Sequence, residues 1–252
     1  MNVPVRVMAH LIAGYPDDPL AFAIADSLVG SGVSYLEVQI PFSDPSADGV
    51  AIQKASSEVL SRGYTMSDNL RFVEKLASSF PDIPIFVMTY ANLAYRRGVD
   101  SFVTTMAGVG VKGLIIPDLP FDYDEGLNEA CKNHGMYAVP VAAPSMDSAR
   151  RDKLTRLQRK FVYAALRAGI TGSETVIDPS MIEFLDDIRG NSLLLGGFGI
   201  RSGQQSKLLA PHVHAVVAGS VFVNIIARYA PEGEKVLKTM INEKARELTG
   251  LA

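Results

Sequence analysis

The chain has little of what marks membrane, disulfide-bonded or nucleic-acid-binding proteins. Among its 252 residues there is one cysteine, Cys131, so no internal disulfide can form. No apolar run approaches the roughly 20 residues that a membrane span needs. The 24 basic and 27 acidic residues leave no basic surplus for nucleic acid. The first residues also lack the charged-then-apolar layout of a signal peptide, so we expect a cytoplasmic enzyme.

Short apolar, β-rich segments alternate with amphipathic helical patterns from end to end. Eight such segments predict strands at Arg6–Ala13, Val33–Ile40, Ile83–Tyr90, Gly113–Pro117, Met136–Ala142, Lys160–Leu166, Ser192–Phe198 and His214–Ala218. Helical patterns cover Leu20–Ser31, Ser67–Ser79, Asp100–Gly108, Tyr123–His134, Asp147–Gln158, Pro179–Arg189 and Gly203–Leu209, with a last helix from Val221 onward. Repeated strand–helix units of this number predict one α/β domain over residues 1–252, a closed (β/α)8 TIM barrel. A doubly wound open sheet is the alternative, but no G-x-G-x-x-G follows the first strand.

One carboxylate interrupts an otherwise apolar predicted strand. Glu37 lies within Val33–Ile40, and a buried carboxylate is costly unless it is hydrogen-bonded or protonated. Asp48 follows in the loop that leaves the same strand. Because TIM barrels carry their active sites at the C-terminal strand ends, we predict that Glu37 and Asp48 perform acid–base chemistry.

Lysine and histidine are poorly placed for the competing chemistries. Lys112 and Lys160 open their strands and so belong to the opposite face of the barrel, while other lysines fall in helices. No lysine is therefore placed to form a Schiff base. The four histidines do not cluster with carboxylates at neighbouring strand ends, as a metal-dependent aldolase would require. The sequence favours metal-free catalysis by carboxylates.

Glycines end the last two predicted strands. Gly196-Gly197-Phe198-Gly199 closes the seventh strand, and Gly219-Ser220 closes the eighth just before a helix. Glycine lets backbone N–H groups approach an anion, and a helix N-terminus supplies free donors. TIM barrels often bind phosphate in the loops after strands 7 and 8, so we expect a phosphate site here, although such glycines also suit plain tight turns.

These motifs together resemble the tryptophan synthase alpha chain family. The block Glu37-Val38-Gln39-Ile40-Pro41-Phe42-Ser43-Asp44-Pro45-Ser46-Ala47-Asp48-Gly49 carries the resemblance most specifically. Further matches follow in order at Tyr90–Leu93, Pro117–Pro120, Arg167–Gly172, Gly197–Ile200 and Gly219-Ser220. The resemblance implies cleavage of indole-3-glycerol phosphate into indole and glyceraldehyde 3-phosphate. It also implies a pyridoxal-phosphate-bearing beta chain as partner, in an α2β2 assembly, with no cofactor in this chain.

The resemblance assigns roles to individual residues. Glu37 becomes the general acid and base, and Asp48 the carboxylate that holds the indole nitrogen. The substrate-binding residues carried over from the family are Tyr90, Tyr163, Thr171, Gly172, Phe198, Gly199, Gly219 and Ser220. Ala168–Ser180, rich in Gly, Thr and Ser, is predicted to close over the site as a lid.

Several positions depart from the family pattern, and two other functions stay open. His10 stands where an aromatic residue usually contacts the indole site, and it is interpreted as a satisfied core histidine. Gln39 replaces the common glycine, and we expect it to be accommodated sterically. The first alternative function is a stand-alone indole-3-glycerol phosphate lyase without a beta partner. The second is a non-catalytic activator of a beta chain, which the presence of both Glu37 and Asp48 argues against.

Overall fold

The chain folds into a parallel β-barrel wrapped by helices. The computed structural model describes residues 4–166 and 177–251, so the predicted contacts of Thr171 and Gly172 and most of the predicted lid lie outside the described residues. Within the described ranges the strands are β1 Val7–Ile12, β2 Tyr35–Gln39, β3 Ile85–Met88, β4 Gly113–Ile115, β5 Tyr137–Val139, β6 Val141–Ala142, β7 Phe161–Ala165, β8 Leu193–Gly197 and β9 Ala215–Ala218. Every predicted strand is present.

The predicted fifth strand is divided in two. Pro140 separates β5 from β6, because proline has no N–H to give to a ladder. β5 pairs with β4, and β6 pairs with β7. The sheet order β5-β4-β3-β2-β1-β9-β8-β7-β6 therefore begins and ends on the two halves of one broken strand. The predicted barrel of eight strand positions is confirmed, with its seam at Pro140.

Helices follow the strands and cover the outside of the barrel. They are α1 Asp18–Gly30, α2 Val50–Ser61, α3 Met66–Ser79, α4 Ala91–Tyr95, α5 Val99–Gly108, α6 Leu127–Asn133, α7 Ser148–Arg156, α8 Pro179–Arg189, α9 Gly203–Leu209, α10 Ser220–Tyr229 and α11 Glu234–Thr249. Side chains cap several of them, as where Thr65 and Asp68 form a capping box at the start of α3. Within the described ranges, no helix combines the length and apolarity needed to cross a bilayer.

The sequence patterns were wrong about three parts of the helical layer. α2 and α4 were not predicted. They lie in the segments after strands 2 and 3, which were interpreted as loops. The helix predicted from Tyr123 begins only at Leu127, because Glu125 and Gly126 adopt positive φ angles of 50° and 84°. The predicted long last helix is two helices, α10 and α11, separated by a short 3-10 turn at Ala230–Glu232.

Side chains alternate between the barrel interior and the helical layer. Along β1 and β2, the residues Val7, Ala9, Leu11, Leu36 and Val38 pack against the helices. A separate apolar cluster fills the interior, comprising Met8, Phe86, Met88, Tyr90, Ile115, Val139, Phe161, Tyr163, Leu195, Ala215 and Val217. Toward the N-terminal strand ends its rings pack edge to face, with Phe86 and Phe161 centroids 5.3 Å apart. These rings fill the N-terminal end of the interior, where the Tyr35 hydroxyl also hydrogen-bonds His214.

Candidate active site

Strand parity brings three polar side chains into the apolar interior. Glu37 and Gln39 share the inward-facing parity of Tyr35 on β2, and His10 shares that of Met8 on β1. The strand pairing sets His10 directly opposite Glu37. All three polar side chains are buried, with Glu37 3% exposed. A parallel strand surrounded by protein ordinarily carries apolar residues throughout, so these positions mark the site.

Glu37 is held by His10. Nδ1 of His10 lies 2.8 Å from Oε2 of Glu37, and both side chains are almost fully buried. The contact satisfies one oxygen of the buried carboxyl group, which otherwise would be costly to bury. Glu37 also lines the central cavity, so its carboxyl group can meet a ligand there.

Asp48 is held from two sides in the loop after β2. Nε2 of Gln39 donates to Oδ2 of Asp48 at 2.7 Å, and the hydroxyl of Tyr90 donates to the same oxygen at 2.8 Å. The loop itself is fixed by Gln53, whose Nε2 donates to the backbone carbonyl of Asp48 at 2.8 Å. Asp48 thus has a fixed orientation at the mouth of the barrel.

The pKa of the Asp48 carboxyl reflects two opposing influences. Burial is the larger one and raises the pKa above its ordinary value, with the negative charge of Glu37 adding to the rise. The hydrogen bonds from Tyr90 and Gln39 lower the pKa, because they stabilise the charged form. The net shift is upward, so Asp48 takes up a proton at a higher pH than a solvated aspartate does.

A cavity joins the two carboxylates to the predicted anion site. It is lined by His10, Glu37, Ala47, Asp48, Ile52, Met88, Ile115, Pro117, Val141, Tyr163, Phe198, Gly199, Val217, Gly219 and Ser220. Its apolar walls with a few convergent polar groups are typical of small-molecule sites. Among the described residues that line it there is no lysine.

Tyr163 and Phe198 form one wall of the cavity. Their rings meet edge to face, with centroids 5.9 Å apart. Burial raises the pKa of the Tyr163 phenol, and the charges of Glu37 and Asp48 raise it further, so Tyr163 stays neutral. Gly197 makes room for this ring, because a Cβ there would lie 2.2 Å from the Tyr163 hydroxyl oxygen.

The glycine-rich end of the cavity lies beside a helix N-terminus. Phe198 and Gly199 have φ angles of 81° and 79°, a conformation that is strained for phenylalanine and easy for glycine. Gly219 caps α10 and Ser220 is its first residue. The first N–H groups of a helix have no partner within it, and the positive end of the helix dipole favours an anion.

The predicted site residues divide into three groups. Glu37, Asp48, Tyr163, Phe198, Gly199, Gly219 and Ser220 meet at the cavity. Tyr90, predicted to contact substrate, is fully buried behind the cavity wall and bonds Asp48. Thr171 and Gly172 lie outside the described residues. Their assignments as substrate contacts stay predictions.

Sequence reasoning missed the parts played by His10 and Gln39. His10 was interpreted as a satisfied core histidine, and Gln39 as a tolerated replacement of glycine. Each instead bonds one of the two carboxylates, at 2.8 Å and 2.7 Å. The sequence did contain a signal, because both residues occupy strand positions whose side chains point into the barrel interior.

The fold and the cavity define a TIM-barrel protein with a candidate acid–base site built on two buried carboxylates. A family model described as tryptophan synthase alpha chain matches residues 5–251. The tryptophan synthase alpha chain of Zymomonas mobilis is 37% identical over 224 residues, which cover 88% of this chain and 82% of the relative. The corresponding chain of Helicobacter hepaticus is 34% identical over 236 residues, covering 91% and 88%. The chain belongs to the tryptophan synthase alpha chain family.

Solved structures agree with the family assignment. A Mycobacterium tuberculosis tryptophan synthase structure superposes with a TM-score of 0.85 at 32% identity, covering 98% of this chain and 93% of that one. A structure of the tryptophan synthase α2β2 complex from Pyrococcus furiosus superposes with a TM-score of 0.86 at 27% identity, covering 98% of each chain. The TIM-barrel fold is thereby confirmed.

The Asp48 environment leads to a prediction about Tyr90→Phe. The substitution removes a hydrogen bond donated to the carboxylate form, so the pKa of Asp48 should rise further above its ordinary value. A carbon-13 NMR titration of the Asp48 carboxyl measures this directly. Tyr35→Phe is the control, since the Tyr35 hydroxyl bonds His214 and not Asp48. An unchanged Asp48 pKa in Tyr90→Phe would show that the hydrogen bond is not formed in solution.

Proposed function

We propose that this chain cleaves indole-3-glycerol phosphate into indole and glyceraldehyde 3-phosphate by a metal-free retro-aldol reaction. The observation that carries the proposal is the placement of Glu37 and Asp48, both buried, in one cavity. The cavity has apolar walls for a flat ring and a glycine-lined end for an anion. Membership of the tryptophan synthase alpha chain family supports the same substrate.

Glu37 transfers two protons in turn. As a carboxylic acid it gives a proton to C3 of the indole ring, which turns the ring into an electron-accepting iminium. The resulting Glu37 carboxylate then takes the proton of the hydroxyl on the carbon next to C3. The bond between that carbon and C3 breaks, its electrons restore the indole ring, and the carbon becomes the aldehyde. The position of Glu37 suits this role, because its carboxyl group lines the cavity and is held there by His10.

Asp48 stabilises the charge that appears between these two transfers. Protonation at C3 places positive charge on the indole nitrogen, and an ionised carboxylate accepting its N–H hydrogen bond opposes that charge. The hydrogen bonds from Gln39 and Tyr90 favour the ionised form and hold it in place before the reaction. Preorganised charge of this kind costs no reorganisation when the transition state forms.

The two ends of the cavity suit the two ends of the substrate. Met88, Ile115 and Val141 supply apolar surface on the side where the indole would lie. Gly199, Gly219 and Ser220 lie at the N-terminus of α10, where backbone donors would hold the phosphate. Thr171 and Gly172 are proposed to complete the site from the segment after β7.

We further propose a tryptophan synthase beta chain as partner in the cytoplasm, with pyridoxal phosphate held by that partner. The similar Pyrococcus furiosus structure is of an α2β2 complex. Large apolar side chains are exposed in the segments that follow β2, β3 and β4, namely Val50 at 75%, Tyr95 at 43% and Tyr123 at 73%. A partner covering this rim would bury them and stand over the mouth of the cavity. These observations favour a complex over a stand-alone lyase, and the two carboxylates in the cavity disfavour a non-catalytic activator.

Glu37→Gln tests the catalytic assignment. Glutamine keeps the shape of the side chain but cannot give or take a proton, so turnover should fall by at least about 100-fold. Affinity for glyceraldehyde 3-phosphate, measured by calorimetry, should stay near that of the unmodified protein. Glu58→Gln on α2 is the control, because Glu58 is exposed and pairs with Arg62. Turnover above about a tenth of the original in Glu37→Gln would refute the role of Glu37.

Titration with a purified tryptophan synthase beta chain tests the proposed partner. The rate of indole release should rise and then saturate at one beta chain per chain of this protein. Val50→Glu should weaken the association by at least tenfold, on the order expected when a charge enters an apolar contact. Glu74→Lys on the surface of α3 is the control charge change. A rate independent of added beta chain would favour a stand-alone lyase.

Gly219→Asp tests the phosphate site. A Cβ at Gly219 would lie 3.4 Å from the nearest atoms of His10, which is ordinary contact, so the variant should fold. Its carboxylate would repel the phosphate, and affinity for glyceraldehyde 3-phosphate should fall at least about tenfold while indole still binds. Gly219→Asn has nearly the same shape without the charge and should lose less affinity. Equal affinity for the phosphate ligand in Gly219→Asp and the unmodified protein would place the anion elsewhere.

A further inference from the structure

His10 lies between the proposed catalytic acid and the proposed phosphate site. Its Nδ1 atom is 2.8 Å from Oε2 of Glu37. Its other side faces Gly219, where a Cβ would lie 3.4 Å from Cβ and Cγ of His10 and 3.7 Å from Cδ2. The imidazole ring therefore spans the gap between β2 and the start of α10, and it lines the same cavity as both.

The second ring nitrogen of His10 has no partner in the described part of the chain. Nε2 is buried and makes no hydrogen bond there, and His10 as a whole is only 4% exposed. An unpaired buried polar atom costs about 1–3 kcal/mol, so native proteins rarely keep one without a use. In a residue that lines a cavity, a ligand is the natural partner for such an atom.

The proton on His10 follows from its contact with Glu37. When the pair holds a proton in this contact, that proton is bonded either to Oε2 of Glu37 or to Nδ1 of His10. In the first case His10 is neutral and accepts at Nδ1, so its own proton is on Nε2. In the second case His10 is a cation and again carries a proton on Nε2. A pair with its proton in this contact therefore presents Nε2–H as a donor.

We infer that His10 has two parts in the reaction: it positions Glu37 through Nδ1, and it donates from Nε2 to the phosphorylated three-carbon chain of the substrate. The inference rests on the proposed function, since it names a further contact with that substrate. A negatively charged glycerol phosphate that accepts from Nε2–H makes a strong hydrogen bond, because bonds to charged acceptors are stronger than neutral ones.

Two amide substitutions separate the two nitrogen atoms. The amide nitrogen of Asn superimposes on Nδ1 of histidine, and that of Gln reaches the position of Nε2. His10→Asn should therefore lower affinity for glyceraldehyde 3-phosphate about tenfold and turnover less, because only the ligand's hydrogen bond is lost. His10→Gln should lower turnover about tenfold and affinity less. His10→Phe should lower both.

Steady-state cleavage and calorimetric titration with glyceraldehyde 3-phosphate and with indole measure these effects. Unchanged affinity for indole shows that the variants are folded and that the apolar part of the site is intact. His214→Gln is the control, because His214 also bonds one side chain, Tyr35, but lies before β9 at the other end of the barrel. It should change neither quantity.

The outcomes separate this inference from the proposed function. If the unmodified protein does not cleave indole-3-glycerol phosphate, the proposed function fails. If the protein does cleave it, the inference is supported when His10→Asn loses more affinity than turnover and His10→Gln loses more turnover than affinity. Equal losses in both variants would mean a purely structural role for His10, and full activity with full affinity in His10→Phe would mean no role. Either result overturns the inference.

Discussion

Two carboxylates buried inside an apolar barrel constrain everything around them. A carboxylate moved out of water is strongly destabilising unless hydrogen bonds replace the lost solvation. Glu37 shares one such bond with His10, and Asp48 receives two, from Gln39 and Tyr90. His10, Gln39 and Tyr90 are therefore the polar groups that these two carboxylates require, and they lie toward the C-terminal strand ends.

The bonds also give the two carboxyl groups different environments. Asp48 accepts two hydrogen bonds that favour its charged form, against the burial that raises its pKa. Glu37 instead shares its hydrogen bond with the imidazole of His10, a group that can itself carry a proton. Carboxyl groups with such different surroundings suit different tasks, one as a fixed charge and the other as a proton carrier.

Stability and function occupy opposite ends of the barrel. At the N-terminal strand ends, edge-to-face contacts among Tyr35, Phe86 and Phe161 close the interior. At the C-terminal ends, the loops carry Asp48, the strained Phe198 and the glycines beside α10. A rigid lower half allows the upper half to keep buried charge, a backbone outlier and an open cavity.

Sequence patterns alone identified the eight strand positions, the barrel, Glu37 and Asp48 as candidate site residues, and the glycines at the last two strand ends. These features are local, because alternation, turn residues and a carboxylate in an apolar run are visible within about ten residues. The break at Pro140 and the start of α6 at Leu127 depended on backbone details that such patterns resolve poorly. Tertiary structure alone decided that His10 meets Glu37, 27 residues away, and that Tyr90 meets Asp48, 42 residues away. Both contacts depend on strand register and on the path of the loop after β2, and no local pattern encodes either one.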